Sequence, residues 1–386
     1  MNCMAKKNTP TLHLTLVTFL LFVCLLCMFL NNGFWHALFY ALLFFGLRWL
    51  LRRWTQYKSS GWVIFRTVFL VMLFGASSFL FTLVRSETNY VFFFDHSAPM
   101  KVLMDDEWVS IDNATKIDLS DEFISDEVKV QTVYFKRSQP KILGMVKNLI
   151  LQEQIRVFTF KPENDFYLIA DVTNRFHPMS QAEAQSRKQS DFLINASFYD
   201  RNNNAIGEIY YLGEKYQNKS SSSGYFKVID GRPHAGPESI FIPYRTAPYY
   251  ACQAHPSTMK NGTIFGYIDH EQYLGHRKWG KKTYRNLIGE KEDGSIVFVV
   301  SNNGGLLSVK EVTQVAQRIG VKHAALFDAG IALQYAFNHP DYHESFSAFN
   351  NEMDAGNFCD RVCMRLFRKN FIQRSPVYIG IKVKTE

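Results

Sequence analysis

The sequence predicts a mixed α+β fold, sheet-rich at its core, behind an N-terminal bundle of three transmembrane helices. Three observations predict it. Apolar runs crowd the first 84 residues, strand-like runs dominate from residue 155 onward, and helical periodicity there is confined to two short segments.

The apolar runs cover residues 11–30, 34–51 and 62–84. Each approaches the roughly 20 residues that span a bilayer core. The polar turn Asn31-Asn32-Gly33 joins the first two as a helical hairpin. Lys6 and Lys7 precede the first run, and Arg48, Arg52, Arg53, Lys58 and Arg66 flank the second and third. By the positive-inside rule the N-terminus and the Arg52 loop face the cytoplasm, so the chain beyond about residue 85 is exported. Trp35, Trp49, Trp54 and Trp62 lie near the span ends, as interfacial anchors do. His36 sits at the interface, since no span carries an acidic partner for it. The expected location is an inner or plasma membrane with an extracytoplasmic C-terminal domain.

Residues 85–154 read as a connecting region or small subdomain, acidic at Asp105-Asp106-Glu107 and over residues 118–127, with a helix over 141–151. Strands are expected over 156–160, 166–172, 192–196, 206–212, 224–229, 296–300, 324–327 and 377–383. The expected helices are 181–189 and 309–318. For the second, Ser308 is the N-cap and Glu311 its capping-box partner. Val312, Val315, Ala316 and Ile319 form its apolar stripe, and Gly320 stops it.

The most informative position is Asp328. The apolar run Ala324 to Phe327 ends in this acid, and Gly330 follows. A strand end opening into a loop is where such folds display chemistry. A charge there is costly to bury without a partner. The order upstream is strand, polar loop (Asn302, Asn303, Gly304, Gly305), helix, strand, acid.

This order resembles the C-terminal signature of the phosphodiester glycosidase domain family, Leu-Ser/Thr-x-x-Glu, Gly, then Ala-x-x-x-Asp-Gly-Gly. Three further segments agree in sequence order. Asp191 to Asp200 resembles the family's Ile-Asn-Gly-Gly-Phe-Phe-Asp. Gln253-Ala-His-Pro256 with Asn261-Gly262 resembles Gln-x-x-Pro with Asp/Asn-Gly. Arg285-Asn-Leu-Ile-Gly289 with Asp293-Gly294 resembles Arg-x-x-Ile-Gly with Asp-Gly. Together they span roughly residues 155–337, so the glycosidase-like domain is placed at 155–386. The family's Asp-Gly-Gly-Gly-Ser is Asp328-Ala329-Gly330-Ile331-Ala332 here, and its Asn-Gly-Gly is Asn195-Ala196-Ser197.

The resemblance implies hydrolysis of a sugar-1-phosphodiester, here of an envelope glycan or lipid-linked sugar. Such chemistry needs stabilisation of an oxocarbenium-like state and neutralisation of the departing phosphate. Asp328 is assigned as nucleophile, base or cation stabiliser, Arg285 as the phosphate fork, and Asn195 as the holder of sugar or phosphate oxygens. Gln253 is a polar contact at the rim, with Gly330 beside Asp328. Asp200 is either the second carboxylate or a hairpin-turn residue, and His255 either protonates the leaving group or lies on the surface. No cofactor and no metal are expected. The alternative is a catalytically degenerate glycan-binding or envelope assembly protein.

Other classes find little support. The net charge is +8, but the excess lies in the membrane-flanking loop and the C-terminal region, with no basic stripe interleaved with stacking aromatics. No nucleic-acid partner is therefore expected, and no oligomeric state is indicated. Cys24 and Cys27 fall in the first span. In the exported part, a disulfide from Cys252 to Cys359 or Cys363 is expected.

Overall fold

The computed structural model describes residues 99–137, 153–200, 204–269, 282–302, 304–348 and 373–384, together with Phe69 and Met72. The three expected spans and the helix over 141–151 lie outside these residues. Among the described residues no helix is long and apolar enough to cross a membrane. The chain divides into two compact units, Met1–Tyr90 with Met353–Phe371, and Val91–Glu352 with Ile372–Glu386. All that follows concerns the second.

In chain order, β1 (Met100–Met104), β2 (Glu107–Ser110), β3 (Ser120–Ile124) and β4 (Val128–Arg137) come first. β5 (Glu153–Phe160), β6 (Asp165–Ala170) and β7 (Met179–Ser180) lead into α1 (Gln181–Arg187). β8 (Phe192–Asn195), β9 (Phe198–Tyr199), β10 (Ala205–Ile206), β11 (Ile209–Tyr211) and β12 (Glu214–Gln217) follow. Next are β13 (Gly224–Ile229), β14 (Arg232–Pro237), β15 (Tyr250–Ala254), β16 (Ser257–Lys260) and β17 (Thr263–Ile264). β18 (Asn286–Glu290) and β19 (Ile296–Ser301) precede α2 (Val309–Arg318). Last are β20 (His323–Leu326), β21 (Gln334–His339), β22 (Tyr342–Ser347), β23 (Arg374–Ser375) and β24 (Val377–Lys382).

Three sheets carry the domain. The largest has the order β17-β16-β20-β18-β19-β5-β4-β1-β2, with β3 on β4. The second runs β22-β21-β8-β24-β6 and the third β12-β11-β15-β13-β14. The pairings that build the centre of each are antiparallel. A strand's side chains alternate between faces, so the large sheet presents two apolar surfaces. Ile155, Val157, Leu287, Val297, Val299 and Leu326 face α2 and pack with its Val312, Val315 and Ala316. Phe158, Phe160 and Phe298 face the second sheet. Their rings stand 4.8, 5.1 and 5.0 Å from that of Phe192. Burying each such side chain stabilises by roughly 1.5–3 kcal/mol, so this aromatic layer fixes the two sheets together.

The region read as a connector, 85–154, supplies β1 to β4 to the large sheet. Its acidic Asp105-Asp106 forms the tip of the β1–β2 hairpin, with φ of 52° and 66°. Asp tolerates that left-handed backbone, as tight hairpin turns require. The β14 segment, Arg-Pro-His-Ala-Gly-Pro, looks like a loop in sequence. It is an edge strand of the third sheet, where a missing N–H costs no ladder bond.

The expected Cys252 disulfide is not formed. Cys252 is a free thiol, fully buried in β15, and Cys359 and Cys363 lie outside the described residues. The alternation of β15 turns its sulfur into the core, where burial pushes the thiol well above its usual pKa.

Candidate active site

Four strand ends from two sheets meet at one place: the end of β8, the start of β18, the end of β20 and the start of β21. Asn195, the last residue of β8, is 0% exposed. Its Nδ2 donates to the Asp328 carbonyl at 3.0 Å, and its Oδ1 accepts from the Gln334 backbone N–H at 3.0 Å. One amide side chain thus ties the chain leaving β20 to the start of β21. Asn286, the first residue of β18, donates from Nδ2 to the Asn195 carbonyl at 2.9 Å. Its Oδ1 is buried and accepts no hydrogen bond among the described residues.

Asp328 lies in this junction, half-buried. Its Oδ1 accepts from the Ala329 N–H at 3.0 Å. Burial raises its pKa to about 7, against the smaller lowering by that N–H. A carboxyl poised near neutrality can hold or release a proton at working pH. The tolerance of the turn is also visible. Ala329 has φ −142°, extended backbone that any residue adopts, so the glycine of the family pattern is not needed there. Gly330 has φ +67°, the left-handed backbone that favours glycine. Its N–H donates to the Tyr284 carbonyl at 2.9 Å. Neither Ala196 nor Ser197 has a positive φ, so both replaced glycines of that turn sit without left-handed strain.

The other sequence-predicted residues are held by contacts of their own. Arg285 immediately precedes Asn286, and alternation sends its side chain to the opposite, α2-facing side with Leu287. Its Nε donates to the Leu307 carbonyl at 2.9 Å, and it is 5% exposed. Burial lowers its pKa to about 10, and Glu311 counteracts this. Gln253 is not at a rim. It is 1% exposed, and its Oε1 accepts from Glu208 N–H at 2.8 Å and Ser220 N–H at 2.9 Å. Its Nε2 donates to Ser222 O at 2.9 Å, so it braces a loop from within. Asp200 closes the β9–β10 hairpin, accepting from Asn204 N–H and Nδ2 at 2.9 Å each, the turn alternative of the two open for it. His255 donates its backbone N–H to Leu326 O at 2.7 Å, and burial holds its ring below the usual imidazole pKa.

Glu311 caps α2, as its spacing indicates, and does more. Its Oε2 accepts from Ser308 N–H at 2.8 Å. It also takes a bidentate pair from the buried Arg137 at 2.6 and 3.0 Å and an ion pair from Lys282 at 3.2 Å. Burial opposes its charge, but these cations outweigh burial and hold it at about 2. Asn286 and Gln334 were not singled out from the sequence. Period-2 alternation was the available signal for Asn286: of two adjacent polar residues at a strand start, only one can face Asp328. A separate groove of ≈ 870 Å³, lined among others by Tyr167, Lys188, Arg232 and Tyr249, shares no residue with the junction.

Residues 188–355 match the phosphodiester glycosidase family model. That stretch is similar to a phosphodiester glycosidase domain. All four junction strands lie inside the matched range. No curated protein sequence matches this chain. Among solved structures, the catalytic domain of zebrafish N-acetylglucosamine-1-phosphodiester alpha-N-acetylglucosaminidase, auto-inhibited by its pro-peptide, is similar with TM-score 0.49 and 10% identity, over 69% of this chain and 87% of that one. A hypothetical protein from Synechocystis gives 0.43 and 12%, over 76% and 68%. A putative exported protein from Burkholderia pseudomallei K96243 gives 0.40 and 9%, over 60% and 74%. Among the described residues the matched stretch is sheet-rich with few helices.

Proposed function

We propose that this chain is a membrane-anchored, extracytoplasmic hydrolase of a sugar-1-phosphodiester, borne by an envelope glycan or a lipid-linked sugar. The observation that carries the reading is a carboxyl held near pKa 7 at the meeting of four strand ends inside the matched domain. In the ionised form Asp328 takes a proton from the attacking water. The water oxygen bonds to the anomeric carbon, and the C1–O bond breaks with its electron pair leaving on the phosphate monoester. That leaving group is already stable as an anion, so no strong general acid is required.

Asn195 and Asn286 orient the reactants. Asn195 fixes the Asp328 backbone, and the unused Asn286 Oδ1 supplies an acceptor for a sugar hydroxyl. Arg285 acts through its field: a buried cation in low dielectric favours the anionic diester without touching it. Anchoring is supported by the three apolar runs and their flanking Lys and Arg residues. The partners under this reading are the bilayer and a glycan or sugar-phosphate substrate.

The test is release of reducing sugar from methyl diesters of α-glucose 1-phosphate and α-N-acetylglucosamine 1-phosphate by the full chain in detergent. Turnover that disappears in Asp328→Asn supports the reading. Turnover equal in Asp328→Asn refutes the assigned chemistry. For topology, a reporter fused near residue 57 is expected to be cytoplasmic and one fused near residue 90 extracytoplasmic. The reverse result removes the anchor arrangement.

A further inference from the structure

The β8–β9 turn and β9 itself carry two hydroxyls, Ser197 and Tyr199, that the quoted family pattern lacks. Where the pattern reads Asn-Gly-Gly-Phe-Phe-Asp, this chain reads Asn195-Ala196-Ser197-Phe198-Tyr199-Asp200. Conversely, the hydroxyl that ends Asp-Gly-Gly-Gly-Ser is missing at Ala332. Both changes fall on one junction. Ala332 is two residues before Gln334, which bonds Asn195, which is two residues before Ser197.

Ser197 is 0% exposed, and its Oγ has no hydrogen-bond partner among the described residues. A buried hydroxyl left unused is uncommon and marks capacity for a further polar contact. Tyr199 is half-buried, and its Oη accepts from Gln373 Nε2 at 2.8 Å. A phenol that accepts there still has its own proton to donate. Burial first, and then the neighbouring Asp328 carboxylate, raise Tyr199 to about 12, so the proton is retained through neutral pH. Tyr199 follows Asn195 by four residues, and Asn195 Nδ2 bonds the Asp328 carbonyl at 3.0 Å, so phenol and carboxyl share one region.

We propose that Tyr199 is a substrate-binding residue, whose Oη, oriented by Gln373, donates a hydrogen bond to an oxygen of the sugar moiety while Asp328 works at the anomeric carbon. This rests on the hydrolase reading above. Ser197 adds a second polar group on the turn that precedes β9.

The experiment compares the full chain with Tyr199→Phe, Gln373→Leu and Asp328→Asn on the same methyl diesters and on their monodeoxy analogues. Tyr199→Phe is expected to lose about tenfold in kcat/KM with an unchanged Tm, and Gln373→Leu somewhat less. One deoxy analogue is expected to cost the unaltered protein about tenfold and to cost Tyr199→Phe nothing, a pattern that a purely structural role does not produce. An unaltered kcat/KM and deoxy profile in Tyr199→Phe, with Asp328→Asn inactive, overturns the Tyr199 proposal and leaves the hydrolase reading standing. If the unaltered protein turns over none of the diesters, the hydrolase reading fails, and calorimetric titration of the same diesters decides Tyr199. Weaker binding by Tyr199→Phe keeps it as a sugar contact. Equal binding, or none by the unaltered protein, overturns it.

Discussion

Arg285 and Asn286 are consecutive residues, and they open onto two polar regions of opposite character. On the α2 side, Arg137, Lys282 and Glu311 form a closed ion network, with the Glu311 carboxylate bonded by two cations and a backbone N–H. At the strand-end junction, Asp328 accepts one backbone N–H, and Asn286 Oδ1 accepts nothing among the described residues. The first region has committed its carboxylate to the fold. The second has kept hydrogen-bonding capacity in reserve. The same burial that raises both carboxyls is overcome by cations at Glu311 and left to act at Asp328. Hence one settles at about 2 and the other at about 7. A carboxyl well below neutrality is a structural anion at working pH, whereas one at neutrality can exchange protons.

The largest expected effect sharpens this contrast. Asp328→Asn should lower kcat about 10³-fold, since general base catalysis contributes on that scale. In the unaltered protein, kcat/KM should rise with pH through about 7 and then level. Stability should move the other way. The unfolded carboxyl ionises near 3.8 while the folded one keeps its proton to about 7, so stability falls as pH rises between those values. Asp328→Asn should therefore be more stable than the unaltered protein at pH 8, by on the order of 3 kcal/mol, and no more stable at pH 3. Equal pH dependence of unfolding in the two proteins would contradict the raised pKa.

Next in size, Glu311→Ala should destabilise by about 3–5 kcal/mol, because it strands the buried Arg137 charge. The kcat of the protein that remains folded should stay within about twofold. Glu311 also predicts the acid limb. Its contribution is present above about 4.5 and lost as pH falls through about 2, so acid unfolding of Glu311→Ala should lack that component. A variant that kept its Tm but lost its turnover would break the distinction between the two regions.

A smaller effect is expected at the residue between them. If Arg285 works through its field, Arg285→Gln should raise KM about tenfold, and Arg285→Lys, which keeps the charge, by less than about threefold. Added salt should narrow the difference. If Lys proved as poor as Gln, a direct bidentate contact to phosphate would replace the field reading. The smallest effect is at Gly330. Gly330→Ala should cost about 1 kcal/mol from its φ of +67°, read as a lowered Tm, whereas Ala329→Gly should gain nothing.

Much of the architecture is legible in the sequence. β5, β8, β13, β19, β20 and β24 fall where apolar β-branched and aromatic runs place strands, and α2 falls between its predicted caps. These elements are set by local rules: period 2, period 3.6, and a capping box. The strands that were not foreseen explain themselves. β3 is exposed at most of its positions, so no apolar alternation marks it. β14 contains two prolines and a glycine, which read as a turn until a partner strand makes them an edge.

At the site, Asp328, Asn195 and Gly330 were visible because a charged or special residue interrupts an apolar run, and such interruptions are local. Gln253 and Arg285 looked similar in sequence and went to scaffold positions. Whether a polar residue faces an ion-paired network or an open junction depends on what stands across from it. The sequence by itself determined which segments become strands, where α2 begins and ends, and that a lone acid terminates an apolar strand. Only the tertiary structure decided that Asn286 rather than Arg285 meets that acid, and that Tyr199 lies near it. Alternation along a strand is a local rule, but which face meets which partner is fixed by the packing of two sheets that are far apart in the chain.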